Sequence, residues 1–264
     1  RYKDYMEMSW QINQLKKLED INPIMITGLP GMGNVGKIAV DFLIDRLKAE
    51  KVFEIYSHSF PNCVFVNEDN LVELPVIEVF QKKLKNKTLV FITGDIQPLD
   101  EKSCYEFCNE ILDIFEKNKG KEIITLGGIG LKQIPKNPKL YCTGNDSKII
   151  DKYKSRMVSN NIHGVVGPIV GVSGLLIGLA GRRKIPAISL LAETFGHPTF
   201  LGIKGSREIL KVLNKKLGLK LNLKELDDEI NEIEKQIRKT FTDRRVNKKL
   251  PIQKIDEDDL NYIG

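Results

Sequence analysis

The segment that most limits what this chain can fold into is Ile24-Met-Ile-Thr-Gly-Leu-Pro-Gly-Met-Gly-Asn-Val-Gly-Lys37. A short apolar run stops at Gly28, glycines and a proline fill the next positions, and a helical pattern begins near Asn34. Strand, tight turn and helix in that order open an α/β domain. Gly31, Gly33 and Gly36 stand at GxGxxG spacing. Glycine tolerates positive φ in such a turn and lets a helix approach a strand with no Cβ between them. Backbone N–H groups at a helix start also attract anions, so Gly31, Gly33, Gly36 and Lys37 carry a second reading as a nucleotide-binding loop. Neither nucleotide template is complete. A dinucleotide fold needs an acid at the end of its second strand, and the candidate, Glu54, falls mid-strand. A P-loop needs Ser or Thr after its lysine to hold Mg²⁺, and Ile38 stands there. The pattern favours close packing.

Downstream, Ile38, Phe42, Leu43 and Leu47 have the period of a core-facing helix over 37–47. Residues 52–56 read as a strand, and 63–66 with 71–80 as an antiparallel excursion, possible as a hairpin around Asn67-Glu-Asp-Asn70. The run 88–93 is apolar throughout, as in a strand buried on both faces. A helix over 100–117 places Tyr105, Cys108, Ile111, Leu112 and Phe115 on one side, and a strand over 122–126 ends in Gly127-Gly-Ile-Gly130. Ligands of open parallel sheets bind beyond the strand ends. A cleft there is predicted to be lined by Gly31, Gly33, Gly36, Lys37, Thr93, Asp95, Gly127 and Gly128. A short strand over 140–143, a helix over 146–157, and a glycine-dense loop leading into a helix that ends near 180 come next. In that helix Gly174 and Gly178 offer a narrow face for another backbone. Residues 185–192 form the last core strand, and Ser206 caps a helix over 206–217.

Composition sets limits. The chain has 264 residues, 41% hydrophobic and 29% charged, with a formal charge of +6, which describes a soluble globular protein. Lys82, Lys83, Lys85 and Lys87 read as a solvated turn with no interleaved aromatics, so no nucleic-acid surface is expected. No signal peptide is evident, and the longest apolar stretch is cut by Gly167, Pro168, Gly171, Gly174 and Gly178. A cytoplasmic protein without membrane contact is expected. Cys63, Cys104, Cys108 and Cys142 contain no CxxC pair and read as reduced, partly buried thiols. His58, His163 and His197 lie in different units, Glu193 and His197 flank a loop, and Ser173 sits in an incomplete nucleophile elbow. Asp95 and Asp100 flank a loop at a strand end. No catalytic set, metal site or cofactor is expected.

The carboxy-terminal part changes character. Leu223, Leu226, Ile230, Ile233, Ile237 and Phe241 make a narrow apolar seam on a charged helix. A basic linker over 244–249 precedes an acidic run and the tip Leu260-Asn-Tyr-Ile-Gly264. Such a tip is either a solubilising tail or a tethered peptide in which Leu260, Tyr262 and Ile263 enter a groove while the carboxylate of Gly264 is captured. The implied organisation is an extension (1–20), an α/β core (21–220), an amphipathic helix (221–245) and a tail (246–264).

Taken in order, Gly28-Leu-Pro-Gly-Met-Gly-Asn-Val-Gly-Lys37, Thr93-Gly-Asp95, Thr125-Leu-Gly-Gly128, Gly167-Pro-Ile-Val-Gly-Val-Ser-Gly-Leu-Leu176, Leu190-Leu-Ala-Glu-Thr194 and Pro198 form a fairly specific series. With these motifs the chain resembles the proteasome assembly chaperone 2 family, in particular its archaeal branch. The resemblance implies a three-layer α/β/α core with a mostly parallel sheet, phosphorylase-like or Rossmann-like. It implies self-association into a homo-oligomer and a non-enzymatic role in building the proteasome core particle through its α subunits. It also implies a hydrophobic–tyrosine–any-residue docking signal, carried over to Leu260, Tyr262, Ile263 and Gly264. Here Asn261 precedes the tyrosine, and Tyr262 stands third from the end. That displaces the carboxylate by about 3.3 Å of extended chain. Two alternatives stand beside this reading: a nucleotide-binding protein or enzyme using Gly31 to Lys37, and a structural oligomer with no proteasome link.

Overall fold

Strands that are apolar on both faces must be covered on both faces, and the computed structural model of the chain does so with two helical layers. It describes residues 10–164, 166–224, 227 and 228. In chain order the structure runs β1 (Trp10–Gln14), β2 (Ile24–Thr27), α1 (Val35–Leu47), β3 (Glu50–Ser57), β4 (Phe65–Val66), β5 (Val72–Glu73), β6 (Ile77–Lys83) and β7 (Thr88–Gly94). It continues with α2 (Glu101–Lys117), β8 (Glu122–Leu131), β9 (Leu140–Gly144), α3 (Ser147–Tyr153) and β10 (Val158–Ser159). The last elements are α4 (Val172–Arg182), β11 (Ala187–Phe195) and α5 (Ile203–Leu217).

Among the described residues nine strands form one sheet in the order β1-β3-β6-β7-β2-β8-β11-β9-β10, and β4 pairs only with β5. The middle four strands, β7, β2, β8 and β11, are mutually parallel. Towards one edge β6, β3 and β1 alternate antiparallel, and on the other side β9 runs antiparallel to β11. The expected α/β architecture is therefore present around a parallel centre with antiparallel flanks. Short connections explain the flanks: only four residues separate β6 from β7, too few for the crossover that a parallel pair requires.

Side chains alternate across a strand, and the two faces sort accordingly. Met25, Val90, Ile92 and Ile123 join one buried cluster with Phe107, Ile111 and Phe115 of α2 and Leu176 and Ala180 of α4. Ile26, Phe91 and Ile124, also fully buried, belong to the opposite face, where α1 packs on β7 and β8, and α5 on α1 and β11. Asp100 caps α2 by accepting from Ser103 N at 2.9 Å. Cys104, Cys108, Ile111, Leu112 and Phe115 of α2 are buried, whereas Tyr105, expected on the core side, is exposed.

Several expected boundaries move. Residues 127–130 are not a loop: β8 runs on to Leu131 because β11 pairs with it along its length, from Ala187 opposite Ile123 to Phe195 opposite Leu131. Residues 10–14, expected in an extension, are an edge strand paired with β3. The helix expected over 146–157 stops at Tyr153, where Ser155 and Val158 exchange backbone hydrogen bonds of 3.1 Å. Ser206 is not the cap of α5. It lies inside the helix, buried, and donates to Val35 O at 2.8 Å, tying α5 to α1. Lys87 is not simply solvated, since its Nζ donates to Leu217 O at 2.7 Å, at the carboxyl end of α5. In α4, a Cβ at Gly174 would lie 2.1 Å from Ile169 O, so the loop before the helix fills that face, while Gly178 meets nothing within 4 Å.

The chain divides into two compact units, Arg1–Leu221 and Asn222–Gly264. In the second, Asn222 Oδ1 accepts from Lys224 N at 3.1 Å. Leu226, Ile230, Ile233, Ile237 and Phe241 of the expected seam, and the tip Leu260, Tyr262, Ile263 and Gly264, lie outside the described residues. Among the described residues no helix is long and apolar enough to cross a membrane.

Candidate functional site

The glycine-rich turn is held by contact. After β2, Gly28 N donates to Ile92 O at 3.0 Å, and the first turn of α1 lies directly above. A Cβ at Gly28 would stand 2.1 Å from Gly36 O, and one at Gly36 would stand 2.3 Å from Leu126 O of β8. Helix and sheet thus touch backbone to backbone, which any larger residue would prevent. Gly33 has φ +61°, and its missing Cβ would fall 2.5 Å from Thr194 Oγ1 on β11. The GxGxxG spacing therefore seats α1 on β8 and β11.

Beside this seat, beyond the end of β2 and along the second half of β8, lies a cleft of about 580 Å³. Of the residues expected to line it, Gly31, Gly36, Gly127 and Gly128 do so. Its polar side chains are Thr27, Gln97 and Ser173. Gln97 bridges its two walls: Nε2 donates to Pro30 O at 2.8 Å, and Oε1 accepts from Val172 N at 3.4 Å. Gly33, Lys37, Thr93 and Asp95 are not among the lining residues. Gly33 is buried beneath Thr194. Lys37 pairs with Asp41 one turn along α1, Nζ to Oδ2 3.0 Å. Thr93 shares the face of Phe91, towards α1, and its hydroxyl donates to Asp41 Oδ1 at 2.6 Å. Asp95 accepts from Val76 N at 3.2 Å.

No Asp, Glu, Lys, Arg or His lies among the described residues that line the cleft. A bound phosphate there would meet backbone N–H groups and helix starts but no cation. The other candidate groups are engaged elsewhere. Glu54 sits on β3, three strands from β2, and pairs with Lys51 at 2.9 Å. Glu193, expected in a loop, lies within β11, where it accepts from Tyr141 OH at 3.2 Å and Lys139 N at 2.9 Å. Burial, and then the Glu193 charge, push the Tyr141 phenol up. His197 stacks on Phe195 and its Nδ1 lies 3.0 Å from Thr199 Oγ1. Cys104 and Cys108 face each other on α2; the hydrogen bond between them, and then burial, hold the Cys108 thiol above its ordinary range. Among the described residues no group of three or more His, Cys, Asp or Glu is placed to hold a metal ion.

One surface was not singled out by sequence reasoning. The β4–β5 hairpin stands off the main sheet as an arm, and Val64, Phe65, Val66, Leu71, Val72 and Leu74 on it are all exposed, Val66 and Val72 by about two thirds. Asn67 shapes the turn by accepting from Asp69 N at 3.0 Å and Leu71 N at 2.9 Å, while its amide donates to Glu73 Oε1 at 2.7 Å. No signal within the residues marks it, because its apolar side chains read like those of core strands until the main sheet they stand off is in place. Apolar side chains massed on one exposed element mark an interaction surface.

A profile of the PAC2 family matches residues 25–240. PbaB of Pyrococcus furiosus, an archaeal proteasome activator, is similar in structure with a TM-score of 0.79 and 31% identity, covering 88% of this chain and 98% of that one. PbaA of the same organism, an archaeal homolog of proteasome-assembly chaperone, gives a TM-score of 0.73 and 26% identity, covering 89% and 93%. In sequence the chain is also 28% identical over 254 residues to the uncharacterized protein MJ1210 of Methanocaldococcus jannaschii, covering 94% and 96% of the two.

Proposed function

Because the chain belongs to the PAC2 family, we propose that it is a non-enzymatic proteasome assembly chaperone or proteasome-binding adaptor that acts as a homo-oligomer in the cytoplasm. The observation that carries this reading is the likeness to PbaB, which runs through nearly all of that protein rather than through one motif. The cleft supports it, because a glycine-packed groove with no acid, base or cation among the described residues that line it suits a scaffold better than a reaction. The partner is the α-subunit ring of the proteasome core particle. Leu260, Tyr262, Ile263 and Gly264 form the docking peptide, entering pockets between adjacent α subunits.

Avidity makes weak peptides sufficient. Several tails on one oligomer meet several pockets on one ring, and linked sites of this kind gain about 10²–10⁴ in overall affinity without new contacts. Capture of proteasome α-subunit rings by the full chain is compared with capture by a chain ending at Asp259. The truncated chain is expected to lose capture while keeping its own mass in light scattering. Undiminished capture removes the tail mechanism, and no capture by the full chain removes the proteasome reading.

A further inference from the structure

The exposed arm has a matching acceptor at the far side of the same molecule. Residues 61–75 contain Glu68, Asp69 and Glu73 and no lysine or arginine. The loop 132–139 contains Lys132, Lys136 and Lys139 and no acid, with Ile134 half exposed at its centre. That loop leads into a groove of about 930 Å³ beside β9, whose walls include Pro138, Lys139, Lys154, Arg156 and Met157. Among the described residues that line it Glu208 is the one acid, held by Arg207 and Lys211 at 3.1 and 2.7 Å, while Glu193 just behind accepts from Lys139 N and Tyr141 OH. Lys154 pairs with Asp151 at 2.6 Å. Glu68, Asp69, Lys132, Lys136, Lys139 and Arg156 make no ion pair among the described residues. Each surface thus has unspent charge of one sign around exposed apolar side chains.

We propose that the β4–β5 arm of one copy of this chain docks in the basic groove beside β9 of the next copy. The inference rests on the self-association reading above and names its interface. Arm and groove lie at the same end of the sheet, since Ile77 opens β6 opposite Gly94, where β7 ends, and the loop 132–139 leaves the end of β8. They lie at opposite sides of it, because the arm joins the second and third strands and the groove borders the eighth and ninth. Five strand spacings separate β6 from β9, about 24 Å at ~4.8 Å each. A contact between unlike patches on opposite sides of a molecule is head-to-tail, so it repeats from copy to copy and closes when the rotation permits. Val66 and Val72 supply apolar contact, and Glu68 and Asp69 meet Lys139 and Arg156.

The test is the mass of the full-length chain by light scattering over a range of concentrations. The double variant Val66→Ser/Val72→Ser changes only exposed side chains, and it is expected to weaken association by about tenfold or more, the loss that follows from leaving a valine side chain unburied. Glu68→Lys/Asp69→Lys and Lys139→Glu/Arg156→Glu should each lower the mass, and an equimolar mixture of the two charge-reversed chains should restore it. Association that survives the valine variant unchanged overturns the arm interface and leaves self-association standing through another face. A wild-type chain that stays monomeric overturns both. If the valine variant keeps its mass but loses capture of proteasome rings, the arm holds the client and this assignment fails.

Discussion

Gly36→Ala isolates what the glycine-rich turn is for. The new methyl would sit 2.3 Å from Leu126 O and 2.9 Å from Leu126 C, and contacts under 3.0 Å essentially never occur for real Cβ atoms. Because the obstacle is the backbone of a central strand, no rotamer change relieves it. The first turn of α1 must lift by about 0.7 Å, and a radial gap of ~0.5–1 Å forfeits about a quarter to a half of a dispersion contact. Val35, Ala39, Val40 and Leu43 of α1 are buried, and the residues of the first turns bear most of that loss. Overpacking costs ~1–3 kcal/mol, with the upper end apt where backbone is struck, and the better helix propensity of alanine returns about 1 kcal/mol. The net loss is about 2 kcal/mol. For a body of this size that lowers Tm by roughly 4–8 °C. Gly178→Ala is the control, since it too lies in a helix but faces open space; it should stabilise by up to about 1 kcal/mol. Urea unfolding followed by circular dichroism, with slopes compared to detect denatured-state effects, reads both variants. Equal or raised stability for Gly36→Ala would show that the glycine is not there for close approach, and the turn would need another reason to be glycine-rich.

Two further outcomes follow from the same geometry. Among the described residues the cleft has no charged lining, so calorimetry with millimolar ATP, NAD or NADP should give no binding heat. Lys37→Ala should cost no more than the ~0.2–0.5 kcal/mol of a helical i,i+4 pair, and affinity for ATP that vanishes in that variant would restore the nucleotide reading. Asp100 caps α2, and its hydrogen bonds with Ser103 hold the carboxyl below its usual 3.8. A depressed carboxyl stabilises the fold above its unfolded value and loses that contribution as pH falls through the folded one. Asp100→Ala should therefore be less stable than wild type at pH 7, with the gap closing below about pH 4. A gap that stays constant down to pH 2 would contradict the cap.

What was legible in the residues was mostly local. The opening strand, turn and helix, the buried run 88–93 and the apolar stripe of α2 each have a signature within one element. Misreadings arose where a distant element decided. Gly127 and Gly128 looked like a strand end because glycine disfavours strands, yet β11 pairs across them, and a Cβ at Gly128 would strike Met32 O at 2.3 Å. Ser206 looked like a cap because serine favours that position, but its partner is Val35 O, from a helix 171 residues earlier in the chain. Lys37 looked like a phosphate ligand from spacing alone, although Asp41, one turn on, takes it. The arm is not legible in the residues because exposure is a tertiary property: six apolar residues in a hairpin say nothing until the sheet they avoid is drawn.

The place of β2 in the sheet bears on how the protein is made. This strand lies at the centre of the sheet, yet its two neighbours come much later in the chain, with Leu89 and Glu122 opposite Ile24. At ribosomal rates of ~5–20 residues per second, its apolar edge waits roughly 3–13 s for the first partner and longer for the second. During that interval a nascent chain has a sticky, unpaired ribbon, and the last central strand cannot close the sheet until Phe195 has emerged.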